Sequence, residues 1–281
     1  MKYKFLALIL MATLINSCGA KNAQNAKAQS TDSETRILIK TTAGDITIKL
    51  YNETPQHRDN FIKLVQEHFY DSLLFHRVIP NFMVQAGDPE SRNAQKHAML
   101  GAGGPGYTIP AEFVYPKYFH KRGALSAARQ GDPVNPDRKS SGSQFYIVTG
   151  KKYNKFSHQD LEQQIDEQHE ESIFQRLCAQ NRDTIMRMQS ANDSEGMDRL
   201  RDELVAQMKE IVKKQGPFRF SKEQVDAYLG DGGTPFLDDQ YTVFGEVVEG
   251  MKVVDKIERA ATDVNDRPLK DIRILTMEII N

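Results

Sequence analysis

The chain has 281 residues, of which 39% are hydrophobic, and its 37 basic and 38 acidic residues give a formal net charge of −1. This apolar content excludes a wholly disordered chain, and the balanced charge gives no overall electrostatic footprint for nucleic acid. With only two cysteines, a disulfide-rich scaffold and a four-cysteine zinc site are also excluded.

The first residues have the layout of a secretory signal. Lys2 and Lys4 precede an uncharged apolar run from Phe5 to Ile15. The run is too short for a mature transmembrane helix, which needs roughly 20 apolar residues. It ends shortly before Cys18, and this end resembles the lipobox of bacterial lipoproteins, in which the cysteine becomes the lipidated first residue.

We therefore expect residues 1–17 to be a signal peptide and residues 18–34 to be a lipidated, disordered tether, since the latter segment is polar and lacks apolar periodicity. A lipid on Cys18 would attach the protein to a membrane. The expected location is the bacterial cell envelope, lipid-anchored on the periplasmic or outer-membrane face. An ordinary cleaved signal with a coincidental cysteine stays open as the alternative.

Residues 35–281 have the patterning of a mainly β domain. Arg36 to Tyr51 alternates apolar and polar residues, which predicts a hairpin. Thr54 and Pro55 predict the start of a helix that runs to about His68. From Phe75 to Ile147 short apolar runs are separated by Gly and Pro, and this favours an antiparallel barrel or sandwich over a doubly wound sheet.

A helical insertion interrupts this domain at residues 151–233. Capping patterns at Ser157 and Ser221 predict helix starts, and the segment from Asn192 to Gly196 predicts a break between two apolar stripes. We expect the stripes to form a helical hairpin, which is a partner surface, a substrate arm or only packing. The strand pattern resumes after it, with a strand from Tyr241 to Gly245, a helix from Met251 to Glu258 and a last strand from Ile272 to Ile280.

Five segments then carry a family resemblance. They are Phe75–Asp88 (FHRVIPNFMVQAGD), Gly103–Phe113 (GGPGYTIPAEF), Gly123–Ala128 (GALSAA), Gly142–Ile147 (GSQFYI) and Val243–Val247 (VFGEV). In this order they closely resemble the cyclophilin family of peptidyl-prolyl cis-trans isomerases. The resemblance covers about residues 36–150 and 234–281. It implies a closed antiparallel cyclophilin-like barrel with two flanking helices.

The resemblance also implies an activity, the rotation of X–Pro bonds between cis and trans. Amide resonance sets a barrier of about 18–20 kcal/mol, so the catalyst has to bind the twisted amide preferentially. Arg77 stands at the position of the family's catalytic arginine. Its fixed, planar fork can donate to the prolyl nitrogen, which regains a lone pair as the amide twists. For Arg77 taken alone, a surface salt bridge is the alternative.

Other positions match the family's substrate-binding residues. They are His76, Phe82, Met83, Gln85, Ala128, Arg129, Gln144, Tyr146, Phe236, Leu237 and Tyr241. The resemblance implies that Phe82, Met83, Tyr146 and Leu237 form the proline pocket, although plain core packing remains the alternative for such residues. It further implies that the two glutamines hold the substrate backbone and that Ala128 and Arg129 form an edge that pairs with the peptide main chain.

Three of these positions depart from the common pattern. Tyr146 replaces a frequent phenylalanine, Phe236 stands where many members have a tryptophan, and Tyr241 replaces a frequent histidine. We expect a peptidyl-prolyl isomerase that acts on proline-containing unfolded or extended protein segments outside the inner membrane, without cofactor, metal or nucleic acid. The alternative is a cyclophilin-like binding or chaperone module with little turnover.

Overall fold

The computed structural model of the protein describes residues 34–154 and 158–280. The predicted signal peptide, Cys18, the tether up to residue 33 and Ser157 of the first predicted helix cap lie outside the described residues. Within these two ranges no helix is long and apolar enough to cross a membrane.

Eight strands of the described residues form one antiparallel sheet. Their bounds are Arg36–Thr41 (β1), Gly44–Leu50 (β2), Arg77–Ile79 (β3), Met83–Ala86 (β4), Ala124–Ala127 (β6), Phe145–Val148 (β8), Val243–Glu249 (β9) and Ile274–Ile280 (β10). They are ordered β10-β1-β2-β9-β6-β8-β4-β3, and a separate ladder joins β5 (Thr108–Ile109) to β7 (Ser140–Ser141). The predicted hairpin is confirmed, since β1 and β2 pair from Arg36 opposite Lys49 to Thr41 opposite Gly44.

The sheet is a strongly curled half-barrel, so the predicted closed barrel is not confirmed. Its edge strands β10 and β3 share no ladder. The segment before β3 meets the start of β10 through an isolated bridge between Leu74 and Arg273 and through a few hydrogen bonds, such as that from the Ser72 N–H to the Ile274 carbonyl. The physical reason lies in β3, which is three residues long and is followed by Pro80 and by Asn81 in the left-handed region at φ 59°. A strand this short offers little edge for a continuous ladder.

Six helices accompany the sheet in the described ranges. Their bounds are Pro55–Gln66 (α1), His158–Gln180 (α2), Arg182–Ser190 (α3), Ser194–Gln215 (α4), Lys222–Gly230 (α5) and Met251–Glu258 (α6). Helices α1 and α6 flank the half-barrel as predicted, because Phe61 and Leu64 of the first and Val254 and Ile257 of the second are buried in its main core.

The insertion contains a helical hairpin with additional helices. Helices α2 and α4 pack through their apolar stripes, with Ile173, Leu177 and Leu204 buried between them. The short helix α3 connects them. Helix α2 ends at Gln180 and α3 begins at Arg182, and the apolar periodicity did not indicate this interruption at Asn181. Helix α5 begins with the predicted capping box, in which Ser221 and Gln224 satisfy each other's backbone amides.

The insertion leaves and re-enters the β domain at one point. Lys151 and Gly233 exchange both backbone hydrogen bonds, at 3.1 and 3.3 Å. Gly233 has no room for a side chain, since a Cβ there would lie 2.3 Å from the His120 carbonyl oxygen. The two ends therefore meet directly after β8, which places the start of α2 and the end of α5 near the strands that carry the predicted site.

Candidate functional site

Strand register places the predicted polar residues in one row. Arg77 of β3 lies opposite Gln85 of β4, Gln85 lies opposite Tyr146 of β8, and Tyr146 lies opposite Ser126 of β6. Side chains that alternate along a strand point to opposite faces, and Phe145 and Ile147 accordingly belong to the main core while Tyr146 belongs to a second cluster. The predicted division of β8 into a core face and a site face is confirmed.

Arg77 is held at the edge of this row with much of its side chain in solvent. Its Nη1 donates to Gln85 Oε1 at 3.4 Å, and its Nε lies 3.7 Å from Asp266 Oδ2. The side chain is 42% exposed, so these two partners orient the guanidinium without covering it. Such a fork keeps donors available for a ligand.

Two glutamines connect Arg77 to a glycine-rich loop. Gln85 Nε2 donates to Gln144 Oε1 at 2.8 Å, and Gln144 Nε2 donates to the carbonyl oxygens of Gly101 and Gly103 at 2.9 and 2.7 Å. Both glutamine side chains are buried or nearly so, and their amide orientations follow from this chain of donors and acceptors. The guanidinium, the two amides and the loop therefore form one connected polar layer.

An apolar pocket adjoins the polar layer. Met83 and Tyr146 are buried in the second cluster, and Phe82, Ala128, Leu237 and Tyr241 pack against it. The ring of Phe236 packs on that of Phe82 with 5.7 Å between centroids. The structure thus brings together every residue predicted for the proline pocket.

The hydroxyl of Tyr146 has a buried partner that sequence reasoning missed. It lies 3.0 Å from His120 Nε2, and His120 Nδ1 lies 3.0 Å from Asp238 Oδ1. A carboxylate only accepts, so in the neutral ring Nδ1 donates to Asp238 and Nε2 accepts from Tyr146. Burial raises the pKa of Tyr146 well above its usual value, which keeps the hydroxyl a donor. A tyrosine where phenylalanine is common was the signal, because a buried hydroxyl needs a partner.

The insertion completes this network through α5. Tyr228 donates its hydroxyl hydrogen to Asp238 Oδ2 at 2.6 Å, and Gln224 Nε2 donates to the same oxygen at 3.1 Å. Asp238 and Gln224 are fully buried, and Tyr228 is nearly so. Asp238 follows Leu237 directly, so α5 fixes the loop that carries one wall of the apolar pocket.

Arg129 is buried and is not a free side-chain donor. Its guanidinium lies 4.3 Å from the centroid of the Tyr241 ring, and its Nη1 donates to Asp132 Oδ1 at 2.6 Å. The backbone N–H and C=O of Arg129 make no hydrogen bond in the part of the chain that is described, whereas Ala128 uses both of its own, with Gln144 and Ser141. The open edge predicted for main-chain pairing therefore consists of Arg129.

Asp132 joins this edge to helix α2. Its Oδ2 accepts from Ser172 Oγ at 2.7 Å and from Arg138 Nη2 at 2.9 Å. Although burial opposes ionisation, the Ser172 hydroxyl and the two arginines hold the pKa of Asp132 below its usual range. The insertion thus contacts the site at two places, through Asp132 and through Asp238.

His76 lies apart from the pocket. The residue is 2% exposed, and neither ring nitrogen makes a hydrogen bond of good geometry to the described residues. The nearest loop glycine is Gly101, where an added Cβ would lie 3.6 Å from His76 Nε2. The predicted substrate contact of His76 stays a prediction, and the structure places its buried ring next to Gly101 of the glycine-rich loop. Over residues 34–154 and 158–280 no group of three His, Cys, Asp or Glu residues could hold a metal ion.

Comparison with protein families gives a match over most of the chain. The family model described as cyclophilin type peptidyl-prolyl cis-trans isomerase/CLD matches residues 36–212 and 220–279. A Staphylococcus aureus protein (strain USA300) named as a peptidyl-prolyl cis-trans isomerase is 27% identical over 247 residues, which cover 88% of this chain and 92% of that protein.

A longer relative and a solved structure are also similar. A Streptococcus pyogenes protein (serotype M6) named as a bifunctional phosphatase/peptidyl-prolyl cis-trans isomerase is 28% identical over 253 residues, and this chain spans 39% of its length. The crystal structure of a Cryptosporidium parvum cyclophilin type peptidyl-prolyl cis-trans isomerase superposes with a TM-score of 0.51 at 18% identity, covering 89% of this chain and 99% of that one. At this identity the superposition establishes the cyclophilin-like fold.

Proposed function

Because the chain belongs to the cyclophilin-type family and is a peptidyl-prolyl cis-trans isomerase, we propose that Arg77 is its catalytic residue and that the pocket beside it binds the proline ring. One observation carries the proposal. The register that sets Arg77 opposite Gln85 and Gln85 opposite Tyr146 puts a solvent-accessible guanidinium next to an apolar cluster.

The proposed mechanism breaks no covalent bond. The proline ring enters the slot formed by Phe82, Met83, Tyr146 and Leu237, because it is apolar and has no polar handle. As the X–Pro bond twists, the prolyl nitrogen becomes pyramidal and regains its lone pair. Arg77 then donates to that nitrogen, an interaction that the planar amide does not offer, and this lowers the barrier selectively.

The polar layer would hold the substrate on either side of the twisting bond. Gln85 fixes the guanidinium through its Oε1, and Gln144 in turn fixes Gln85. The unpaired backbone N–H and C=O of Arg129 can pair with an extended peptide as one further strand would. The proposed substrates are therefore proline-containing unfolded or extended protein segments.

The proposed location is the bacterial cell envelope. The basic start, the short apolar run and Cys18 support export and lipidation, and a lipid on Cys18 would hold the isomerase at a periplasmic or outer-membrane face. Its clients would then be proteins that fold outside the inner membrane.

A test of the mechanism replaces Arg77. We expect Arg77→Ala to lower kcat/KM for a proline tetrapeptide by more than tenfold while the melting curve stays unchanged, because the half-exposed side chain contributes little to the core. Arg77→Lys should lose most of the activity as well, since the lysine ammonium lacks the planar fork. The measurement is the cis-to-trans rate of the tetrapeptide.

A matched control is Arg36→Ala, which removes an exposed arginine from β1 without an ion pair among the described residues. It should keep full activity. If Arg77→Ala retains activity within twofold of the unsubstituted protein, Arg77 is not the donor. A folded parent protein without turnover would instead favour the binding or chaperone module.

A further inference from the structure

One face of helix α2 runs along an open trough beside the apolar pocket and the open edge at Arg129. The trough has a volume of about 470 Å³. It is lined in part by Arg129, whose backbone forms the open edge, and by Tyr241, which packs against the apolar pocket. Its helical wall consists of Gln164, Glu167, Gln168, Glu171, Ser172 and Gln175. These residues recur at helical spacing and so project from one side of the helix.

This face differs from the side of α2 that packs inward. Ile173 and Leu177 are buried against α4, whereas Gln164, Glu167 and Glu171 are exposed. Glutamine side chains both donate and accept hydrogen bonds, as a peptide main chain requires of its partner. The face is thus chemically suited to an extended polypeptide and not to an apolar helix.

The charges of the trough are not balanced. Asp132 pairs with two largely buried arginines, Arg129 at 2.6 Å and Arg138 at 2.9 Å, so this group keeps one positive charge. Glu167 and Glu171 each accept only a glutamine amide from their own helix, at 3.1 and 2.8 Å. In the described ranges no cation lies within ion-pair distance of either carboxylate. Two carboxylates of α2 therefore face the trough with no ion-pair partner among the described residues, and they outnumber the one positive charge of the buried group.

The length of the trough favours a bound peptide segment longer than the X–Pro dipeptide itself. From Gln164 to Gln175 the helix rises about 16 Å, which matches about five residues of extended chain. The fixed position of α2 follows from the Ser172 hydroxyl, which donates to Asp132 at 2.7 Å. A chain that leaves the apolar pocket past Tyr241 and Arg129 enters the trough directly.

We propose that the trough binds the part of the client chain next to the isomerised proline and that Glu167 and Glu171 select segments with lysine or arginine there. This inference rests on the proposed function, because it assumes that the proline occupies the adjoining pocket. Under this proposal the insertion takes part in substrate selection, and a tetrapeptide substrate would not reveal this role because it is too short to reach the trough.

The test uses synthetic decapeptides with one proline and either two lysines or two glutamates, placed three and five residues before or after it. At low salt we expect kcat/KM for one lysine placement to exceed that of its glutamate counterpart by about three- to tenfold, the effect of two partly screened charge pairs. The double variant Glu167→Gln/Glu171→Gln should lose this preference and keep its tetrapeptide activity.

The matched control is Glu203→Gln/Glu210→Gln, which removes two exposed charges from α4 and should keep the preference. The anisotropy of fluorescent decapeptides, measured in parallel, gives their affinity and so tests the trough even if turnover is absent. Failure of the proposed catalytic role would show separately, as a lack of tetrapeptide turnover. Equal kcat/KM and equal affinity for the lysine and glutamate peptides would contradict the proposed role of the trough. A preference for lysine that persists in the α2 double variant would contradict it as well.

Discussion

Two adjacent residues of one motif, His76 and Arg77, have opposite environments. The ring of His76 is buried and makes no hydrogen bond of good geometry to the described residues, whereas the side chain of Arg77 is 42% exposed. Burial lowers the pKa of His76 to about 4, because a buried imidazolium loses its hydration. His76 is therefore neutral at physiological pH and acts as a packing residue, while Arg77 keeps its charge available.

This environment predicts a pH dependence of stability. The pKa of His76 is lower in the folded than in the unfolded chain, so proton uptake favours unfolding. Its contribution is complete above about pH 6.5 and is lost as the pH falls towards 4. Between pH 7 and pH 4.5 we expect His76 to account for about 2–3 kcal/mol of the lost free energy of unfolding.

Urea unfolding of the protein and of His76→Phe at the two pH values measures this contribution. The apolar ring occupies a similar volume and does not titrate, so the variant should lose less stability in acid by that amount. Other buried histidines, such as His57, are common to both proteins and cancel in the comparison. Parallel pH profiles for the two proteins would show that His76 is hydrated or partnered in solution.

At the scale of single residues, the motifs predicted which residues form the site, but they did not predict the hydrogen bonds among them. Arg77, Gln85 and Tyr146 fall in one row because strand parity and the family's order of segments are both visible in the sequence. The partner of the Tyr146 hydroxyl was not visible, since His120 is 26 residues away in the chain and Asp238 is 118 residues from His120. Contacts at such separations depend on the tertiary fold.

Among the elements, helix α5 belongs functionally to the β domain. Tyr228 and Gln224 both donate to Asp238, the residue after Leu237. Removing one donor leaves a buried carboxylate less well satisfied, which is more damaging than losing a hydrogen bond at the surface. The loop of the apolar pocket thus depends on a helix that lies outside the five segments on which the family resemblance rests.

The change Tyr228→Phe tests this dependence. We expect it to lower the free energy of unfolding by about 1–3 kcal/mol and to raise KM for the tetrapeptide more than it lowers kcat, because the pocket wall and not Arg77 is disturbed. The control is Tyr153→Phe, whose ring packs beside Tyr228 but whose hydroxyl makes no hydrogen bond in the described structure. Equal effects of the two substitutions would mean that the bond to Asp238 does not matter.

Periodicity predicted the helices more reliably than their boundaries. Helix α6 matches its predicted span, and α5 begins at the predicted capping box. The break at Asn181 was missed, because the apolar residues on either side continue at helical spacing and only a local change of backbone direction separates α2 from α3. The predicted closure of the barrel is not confirmed, since closure depends on how the edge strands meet and not on the pattern of any single strand.

At the scale of the whole molecule, the expected anchor decides where the isomerase works. Cys18 ends a basic and apolar signal-like segment, and lipid modification there would fix the first residue of the mature chain at a membrane. One acyl chain holds a protein only marginally, so stable attachment requires more than one. Activity would then be confined to clients that pass the membrane surface.

Mass spectrometry of the protein isolated from a bacterial host tests the anchor. We expect a mature N-terminus at Cys18 with a mass increase that corresponds to lipid, and membrane association that Cys18→Ser abolishes. The variant should retain tetrapeptide activity, because Arg77 and the pocket are unaffected. An unmodified N-terminus at any residue after Cys18 would rule out the lipid.

The meeting of Lys151 and Gly233 has a consequence for the folding of the chain. Strands β8 and β9 belong to one sheet, so the sheet forms only when the chain between them closes into a loop. Closing a loop of roughly 80 residues costs about 2–3 kcal/mol more in chain entropy than closing a short loop of about five residues. Contacts within the helical hairpin span shorter stretches of sequence and form faster than such a closure. If the helices form first, they bring Lys151 and Gly233 together and shorten the effective loop, so that this pair of residues links the folding order of the insertion to that of the sheet.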